Sequence, residues 1–196
     1  MHRTLAGLLI ALLLCTSCNP FSPSNPSAAQ NTATDYAVYK ALIEAIYANQ
    51  NLGMVVIKDH TYSGFTSSDA RVFELMQKAM PELDQSARDS YLARNARPVP
   101  LENRFNLTVT VTLLNQTDFD SYFGKSGKGW DDFYFKYPLS QGVLTLSRAG
   151  FNASGDKALV VVNTQAYTMT GAAYAVILGL ENGLWKIVNQ LTLWTW

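Results

Sequence analysis

Residues 157–195, KALVVVNTQAYTMTGAAYAVILGLENGLWKIVNQLTLWT, decide the fold class of this 196-residue chain. Residues 158–162 are apolar on both faces of an extended chain, which is typical of a central strand. Residues 152–156 and 181–183 are short and rich in turn formers, so neighbouring strands should run antiparallel. We therefore predict a closing meander of strands over about 142–150, 156–168, 172–181 and 184–195.

The first half of the chain is mostly helical in pattern. Apolar side chains recur at helical spacing after Thr34 and Asp35, which suit a helix N-cap. The alternating stretch 107–113 predicts a further strand, and 54–57 is a β-branched run that predicts another. Predicted helices lie at about 35–49, 68–80, 84–96 and 117–123. The fold class is therefore α+β, with N-terminal helices packed on a curved, mainly antiparallel C-terminal sheet.

The N-terminus has the pattern of a secretory signal peptide. Arg3 precedes an apolar run over 5–14, which is too short to be a permanent membrane span of about 20 residues. The stretch Leu14-Cys15-Thr16-Ser17-Cys18 resembles the bacterial lipobox, in which small residues precede a lipidated cysteine. We therefore predict a lipoprotein signal peptide over 1–17 and lipidation, of the palmitate type, at Cys18. Cys15 stands where a lipobox usually has leucine, so cleavage before Cys15 and a plain secretory peptide stay open as alternatives.

The residues after Cys18 predict a tether and then one domain. Residues 18–33 are rich in proline, serine and asparagine, which favours a semi-rigid linker, and 34–196 has the length of a single domain. Asn19 after the cysteine resembles the pattern of lipoproteins sorted to the outer membrane. We expect a location in the bacterial cell envelope, on the periplasmic face of the outer membrane if the host has two membranes.

Charge and cysteine content narrow the classes of function. The 15 basic and 15 acidic residues balance, so no excess charge attracts nucleic acid. Cys15 and Cys18 are the two cysteines of the chain, and the domain that follows them therefore has neither a disulfide nor a thiolate nucleophile. We expect no cofactor and no metal, and the partners we expect are a membrane, through the lipid, and an unknown protein or small molecule.

The chain from Tyr137 onward resembles an uncharacterised family of bacterial exported proteins and lipoproteins. The motifs that carry this resemblance are of the types YPxSxG at 137–142, SRxGFN at 147–152 and GxWKIV at 183–188. Members of that family often have a cysteine- and glycine-rich turn before the last strand, whereas residues 165–172 contain no cysteine here. The resemblance implies export and a coherent fold, and it implies no activity.

Two charged side chains are candidates for a site. His60 follows Asp59, and neighbouring residues on a strand point to opposite faces, so no carboxylate–imidazole relay is expected. His60 is also the one histidine after the leader, which excludes a site with two histidine ligands. Arg148 requires a carboxylate partner if it is buried, and Asp131 or Asp132 could supply it. Arg148 then either recognises an anion or clamps a strand to a loop.

An aromatic segment supplies the remaining candidates. Asp132 could contribute a carboxylate to a pocket, and exposed Trp130 and Tyr134 would suit contact with a protein or a carbohydrate. At strand spacing Phe133 and Phe135 would share one face of this segment, and packing in the core is the simpler expectation. The loop 124–129 contains glycine and lysine but lacks the spacing of a phosphate-binding loop.

These observations favour a non-catalytic binding module in the cell envelope. The alternative is a small-molecule enzyme or ligand binder with a pocket in the curved sheet, and an envelope scaffold is a third hypothesis. Convergence of His60, Arg148 and Asp132 on one cavity would favour the enzyme, whereas their dispersal would favour the binding module.

Replacement Cys18→Ser tests the anchor. The variant should leave the membrane fraction and lose labelling by a fatty-acid probe, because Cys18 is the proposed acceptor. Cys15→Ser is the matched control and should keep the label. Full labelling of the Cys18→Ser variant would contradict the assignment.

Overall fold

The computed structural model describes residues 28–48, 50–65, 69–167 and 170–195. The predicted signal peptide, Cys18 and the first part of the tether lie outside these residues. Five helices and seven strands occur in the described part of the chain. In chain order they are α1 (Ala28–Ile46), β1 (Met54–Lys58), α2 (Ala70–Ala79), α3 (Gln85–Arg94), β2 (Thr110–Leu114), α4 (Gln116–Phe123), α5 (Trp130–Lys136), β3 (Val143–Leu146), β4 (Gly150–Phe151), β5 (Lys157–Gln165), β6 (Gly171–Glu181) and β7 (Leu184–Thr195).

The strands form one sheet in the order β2-β1-β3-β5-β6-β7, with β4 paired to β5. Strands β5, β6 and β7 are the predicted antiparallel meander, and β3 also pairs antiparallel with β5. The α+β class and the mainly antiparallel sheet are therefore confirmed. Strand β1, in contrast, pairs parallel with both β2 and β3, which the local patterns did not predict.

The sheet is covered by helices on both faces. On β5, Val160 and Val162 pack towards α1, whereas Leu159 and Val161 pack towards α2 and α3. Alternate residues of a strand point to opposite faces, so the uninterrupted apolar run of β5 matches its burial on both sides. Helix α1 thus lies on one face of the sheet, and helices α2 and α3 lie on the other face.

A third cluster covers the parallel end of the sheet. Val56 of β1 and Val143 of β3 pack beneath Phe133 of α5, beside partly buried aromatic residues of α4. At the opposite edge, two register shifts interrupt the regular pairing of β6 with β7. Through these three clusters, every strand of the sheet is covered on at least one face.

Helix α3 and strand β4 approach each other closely at Gly150. A Cβ at this position would lie 2.4 Å from the Cβ of Tyr91 and 2.5 Å from the carbonyl oxygen of Ala87. These distances are far below ordinary van der Waals contact, so the absence of a side chain at Gly150 permits the contact. The connection between β3 and β4 is thereby held against α3.

Several predicted boundaries are wrong. Helix α1 begins at Ala28 and not near residue 35, so it includes the end of the segment predicted to be a tether. The alternating stretch 107–113 forms a strand only from Thr110, because its partner β1 begins at Met54, which pairs with Thr110. The predicted strand 142–150 is divided into β3 and β4.

The aromatic segment was also predicted with the wrong periodicity. Residues 130–136 form helix α5, in which Phe133 is fully buried while Phe135 is 89% exposed. Acidic side chains at Asp131 and Asp132 in the first turn favour this helix, since they complement the positive end of its dipole. Phe133 and Phe135 therefore do not share a face.

None of the helices in the described residues is long and apolar enough to span a membrane.

Candidate functional site

Arg148 binds a carboxylate, but its partner is Asp35 of α1 and not Asp131 or Asp132. The Nε and Nη2 atoms of Arg148 donate to Asp35 Oδ2 over 3.1 and 3.0 Å. Arg94 of α3 donates from Nη2 to both Asp35 oxygens over 2.9 and 2.8 Å, and the Ala149 amide donates to Oδ1 over 3.2 Å. We call Asp35, Arg94 and Arg148 the Asp35 ion network.

The surroundings of this network are those of a structural element. The Asn95 side chain accepts from the Arg148 amide over 2.7 Å and donates to the Arg148 carbonyl over 3.0 Å. The Tyr39 hydroxyl donates to the Ser147 carbonyl over 3.0 Å. Burial raises the pKa of Asp35, and the charges of Arg94 and Arg148 offset part of that effect. Arg148 therefore connects α1, α3 and β3, as in the predicted clamp, although its partner is a helix rather than a loop.

His60 does contact Asp59, contrary to the expectation from strand geometry. Its Nδ1 atom lies 2.8 Å from Asp59 Oδ1. Strand β1 ends at Lys58, so the alternation of side chains does not extend to residues 59 and 60. The contact favours the tautomer with a proton on Nδ1, which leaves the Nε2 lone pair available as a base.

The Asp59–His60 pair lines a cleft of about 380 Å³, which we call the His60 cleft. Lys58 also lines this cleft, and its ammonium group donates to Gln116 Oε1 over 2.9 Å and lies 3.8 Å from the centre of the Phe119 ring. Burial lowers the pKa of Lys58, although Asp120 and Asp59 act in the opposite direction. The cleft lies where parallel strands β1 and β2 end, a common location for ligands in sheets with parallel strands.

A larger cleft, of about 620 Å³, lies at the C-terminal end of α1 and is called the α1-end cleft here. No charged side chain lines it among the described residues. Its polar lining comes from the residues that follow α1, from the segment before β3 and from strands β5, β6 and β7. The main polar side chains are Tyr47, Gln50, Gln141, Thr164, Tyr174 and Gln190.

Tyr47 is held in its neutral form in the α1-end cleft. Burial raises the pKa of Tyr47, and the hydroxyl groups of Tyr134 and Tyr174 raise it further. A neutral phenol both donates and accepts hydrogen bonds, as do the glutamine amides and the threonine hydroxyl of the lining. The cleft therefore offers uncharged hydrogen-bonding groups beside apolar surface.

Three aromatic side chains lie beside the α1-end cleft. The rings of Trp130 and Tyr134 are stacked at 5.7 Å, and the Tyr167 ring lies 4.8 Å from that of Tyr134. Trp130 and Tyr134 are half-buried, whereas Tyr167 is 59% exposed. We call these three residues the aromatic cluster. Tyr167 follows Ala166, which lines the cleft, and Tyr134 is close enough to the lining residue Tyr47 to affect its pKa, so the cluster lies near the cleft.

The structure does not bring the sequence-predicted charged candidates together. Arg148 belongs to the Asp35 ion network, His60 lines the His60 cleft, and Asp132 is exposed on α5. No group of three or more histidine, cysteine, aspartate or glutamate side chains suited to a metal ion occurs in the part of the chain that the structure describes.

Sequence reasoning missed Tyr167, the neutral lining of the α1-end cleft and the role of Asp35. Asp35 interrupts the apolar stripe of a helix, which could have indicated a buried ion pair, but it was interpreted as a helix cap. Neutral lining residues have no such signal, because glutamine and threonine are also common on ordinary surfaces. The comparisons give no match of this chain to a family model, to a curated protein or to a solved structure.

The Asp35→Asn variant measures the strength of the ion network. The amide has the shape of the carboxylate but leaves two largely buried guanidinium groups without a counter-charge, so we expect a loss of about 3 kcal/mol in the free energy of unfolding. Chemical denaturation measures this change in the free energy of unfolding. Glu181→Gln removes an exposed ion pair with Lys186 and should cost under about 1 kcal/mol. Equal effects of the two changes would contradict a structural role for Asp35.

Proposed function

We propose that this protein is a lipid-anchored binding module of the bacterial cell envelope, and that its ligand site is the α1-end cleft. The ligand class is an uncharged polar molecule. The observation that carries this proposal is a cleft of about 620 Å³ whose described lining contains hydrogen-bonding side chains and no charge.

The proposed anchor and location rest on the sequence. The apolar leader, the lipobox-like stretch ending at Cys18 and the resemblance to exported proteins support delivery to the envelope. The proposed membrane contact is through the lipid on Cys18, and Asn19 supports the periplasmic face of the outer membrane in a host with two membranes.

The ligand class follows from the cost of burying charge. An ion that enters a cleft without a counter-charge loses hydration that nothing there replaces, whereas a neutral polar ligand exchanges water for the hydrogen bonds of the lining. Tyr47 and Tyr174 also supply apolar ring surface next to these polar groups. Such a combination of apolar surface and a few polar groups is typical of small-ligand sites.

The dispersal of the charged candidates favours binding over catalysis. Arg148 is occupied by Asp35, and Asp132 lies on the exposed side of α5. A catalytic set requires groups within hydrogen-bonding reach of one reacting atom. His60 lines a cleft, but neither Arg148 nor Asp132 lines that cleft with it.

The contact between Asp59 and His60 favours a second candidate function, which is acid–base catalysis in the His60 cleft. The carboxylate orients the imidazole over 2.8 Å, and a free Nε2 atom could accept a proton from water or from a substrate hydroxyl group. In this alternative the substrate binds in the His60 cleft. That cleft and the α1-end cleft lie at opposite ends of the parallel strands.

A ligand screen by thermal shift tests the proposed binding site. Neutral polar compounds should raise the melting temperature of the full chain more than charged analogues of the same size, because binding to the folded state stabilises it. The double variant Gln141→Ala, Gln190→Ala should lose these shifts. Gln85→Ala on α3 is the matched control and should keep them. Retention of all shifts by the double variant would exclude this cleft as the site.

A panel of chromogenic hydrolase substrates tests the second candidate function. If the His60 cleft is catalytic, His60→Gln should reduce turnover about 100-fold while leaving the melting temperature unchanged, since His60 is exposed. We expect instead no turnover that depends on His60. A His60-dependent rate would replace the binding module with an enzyme.

A further inference from the structure

We propose that the α1-end cleft binds a neutral oligosaccharide, and that Tyr167 is the ring on which one sugar stacks. This inference rests on the proposed function and names the ligand class of the same site. It comes from the position of Tyr167 beside the cleft, from its backbone conformation and from the rings that support it.

Tyr167 has an unusual backbone conformation. Its φ angle is +52°, in the left-handed region that non-glycine residues seldom adopt, and such a conformation costs on the order of 1 kcal/mol. The turn is closed by the Ala166 amide, which donates to the Thr170 carbonyl over 2.7 Å. Residues with strained backbones are concentrated at functional sites. Here the strained residue carries a ring that is 59% exposed, and it directly follows Ala166, which lines the cleft.

The Tyr167 ring is supported by two other rings. Tyr134 lies 4.8 Å away at an interplanar angle of 33°, and Trp130 lies 6.3 Å from Tyr167 and 5.7 Å from Tyr134, so the three rings form a triangle. Trp130 in turn packs on Phe123 at 4.2 Å, which connects the aromatic cluster to the core beneath α4 and α5. A supported ring loses little conformational entropy when a ligand stacks on it. The exposed fraction of Tyr167 is therefore suited to contact.

The chemistry of a neutral sugar matches the two halves of this surface. One face of a pyranose ring carries C–H groups, which pack on aromatic rings, while its hydroxyl groups each donate and accept hydrogen bonds. The side chains of Thr164, Gln141 and Gln50 line the cleft. These groups also donate and accept without charge. An extended neutral glycan thus fits better than a phosphorylated or carboxylated one.

Titration of the full chain with neutral hexasaccharides tests this inference. The protein is purified from membranes in a detergent without a sugar headgroup. The probes are β-linked gluco-, xylo-, manno- and N-acetylchito-hexaose, and their binding is followed by calorimetry and by Trp fluorescence. We expect at least one probe to bind with millimolar or better affinity. Tyr167→Ala should weaken that binding about tenfold or more, whereas Tyr167→Trp should preserve it because the ring remains.

Phe135→Ala is the matched control. Phe135 is 89% exposed on the outer face of α5, and its removal should leave the affinity unchanged. Failure of all four probes to bind at up to about 10 mM would overturn the carbohydrate inference. Equal binding by the wild type and Tyr167→Ala would overturn the stacking role.

The outcomes also separate this inference from the proposed function. If neutral compounds other than sugars bind and depend on Gln141 and Gln190, the α1-end cleft is a ligand site but not a glycan site. If no neutral compound of either kind binds, both proposals are wrong.

Discussion

The buried carboxylate of Asp35 is the point on which the layers of this fold depend. It lies on α1, which covers one face of the sheet, and it receives hydrogen bonds from Arg94 of α3, from Arg148 and from the Ala149 amide between β3 and β4. Helix α3 packs on the other face. One acidic group thus fixes the relative position of two helices and a strand connection, and each guanidinium is compensated only while the other elements stay in place.

Local patterns predicted the parts of the fold that local interactions determine. The meander of β5, β6 and β7 follows from short turns and apolar runs, and it was predicted correctly with its antiparallel pairing. The parallel pairing of β1 with β2 and β3 joins residues far apart in sequence, such as Val56 with Thr112 and with Val143. No pattern within one strand specifies such a partner. Helix α5 shows a related limit, because four aromatic residues in a stretch of seven satisfy either periodicity in part.

The candidate sites were predictable to a smaller extent. Arg148 was correctly expected to require a carboxylate, yet the partner lies 113 positions earlier in the chain, on a helix that sequence alone could not place against β3. The relation of His60 to Asp59 was predicted from strand geometry, although the strand ends at Lys58, two residues before His60. The α1-end cleft collects side chains from α1, β5, β6 and β7, none of which is unusual by itself. Trp130 and Tyr134 were identified from the aromatic segment that contains them. Tyr167 is far from that segment in sequence and contacts Tyr134 only in the folded chain.

The length of helix α1 also determines how far its two ends lie apart. Its 19 residues rise about 28 Å at 1.5 Å per residue. Ala28 lies ten positions after Cys18, while Ile46 and Tyr47, at the other end, line the α1-end cleft. In the proposed lipid-anchored form, the length of α1 therefore separates the cleft from the end of the helix that follows the anchor in sequence.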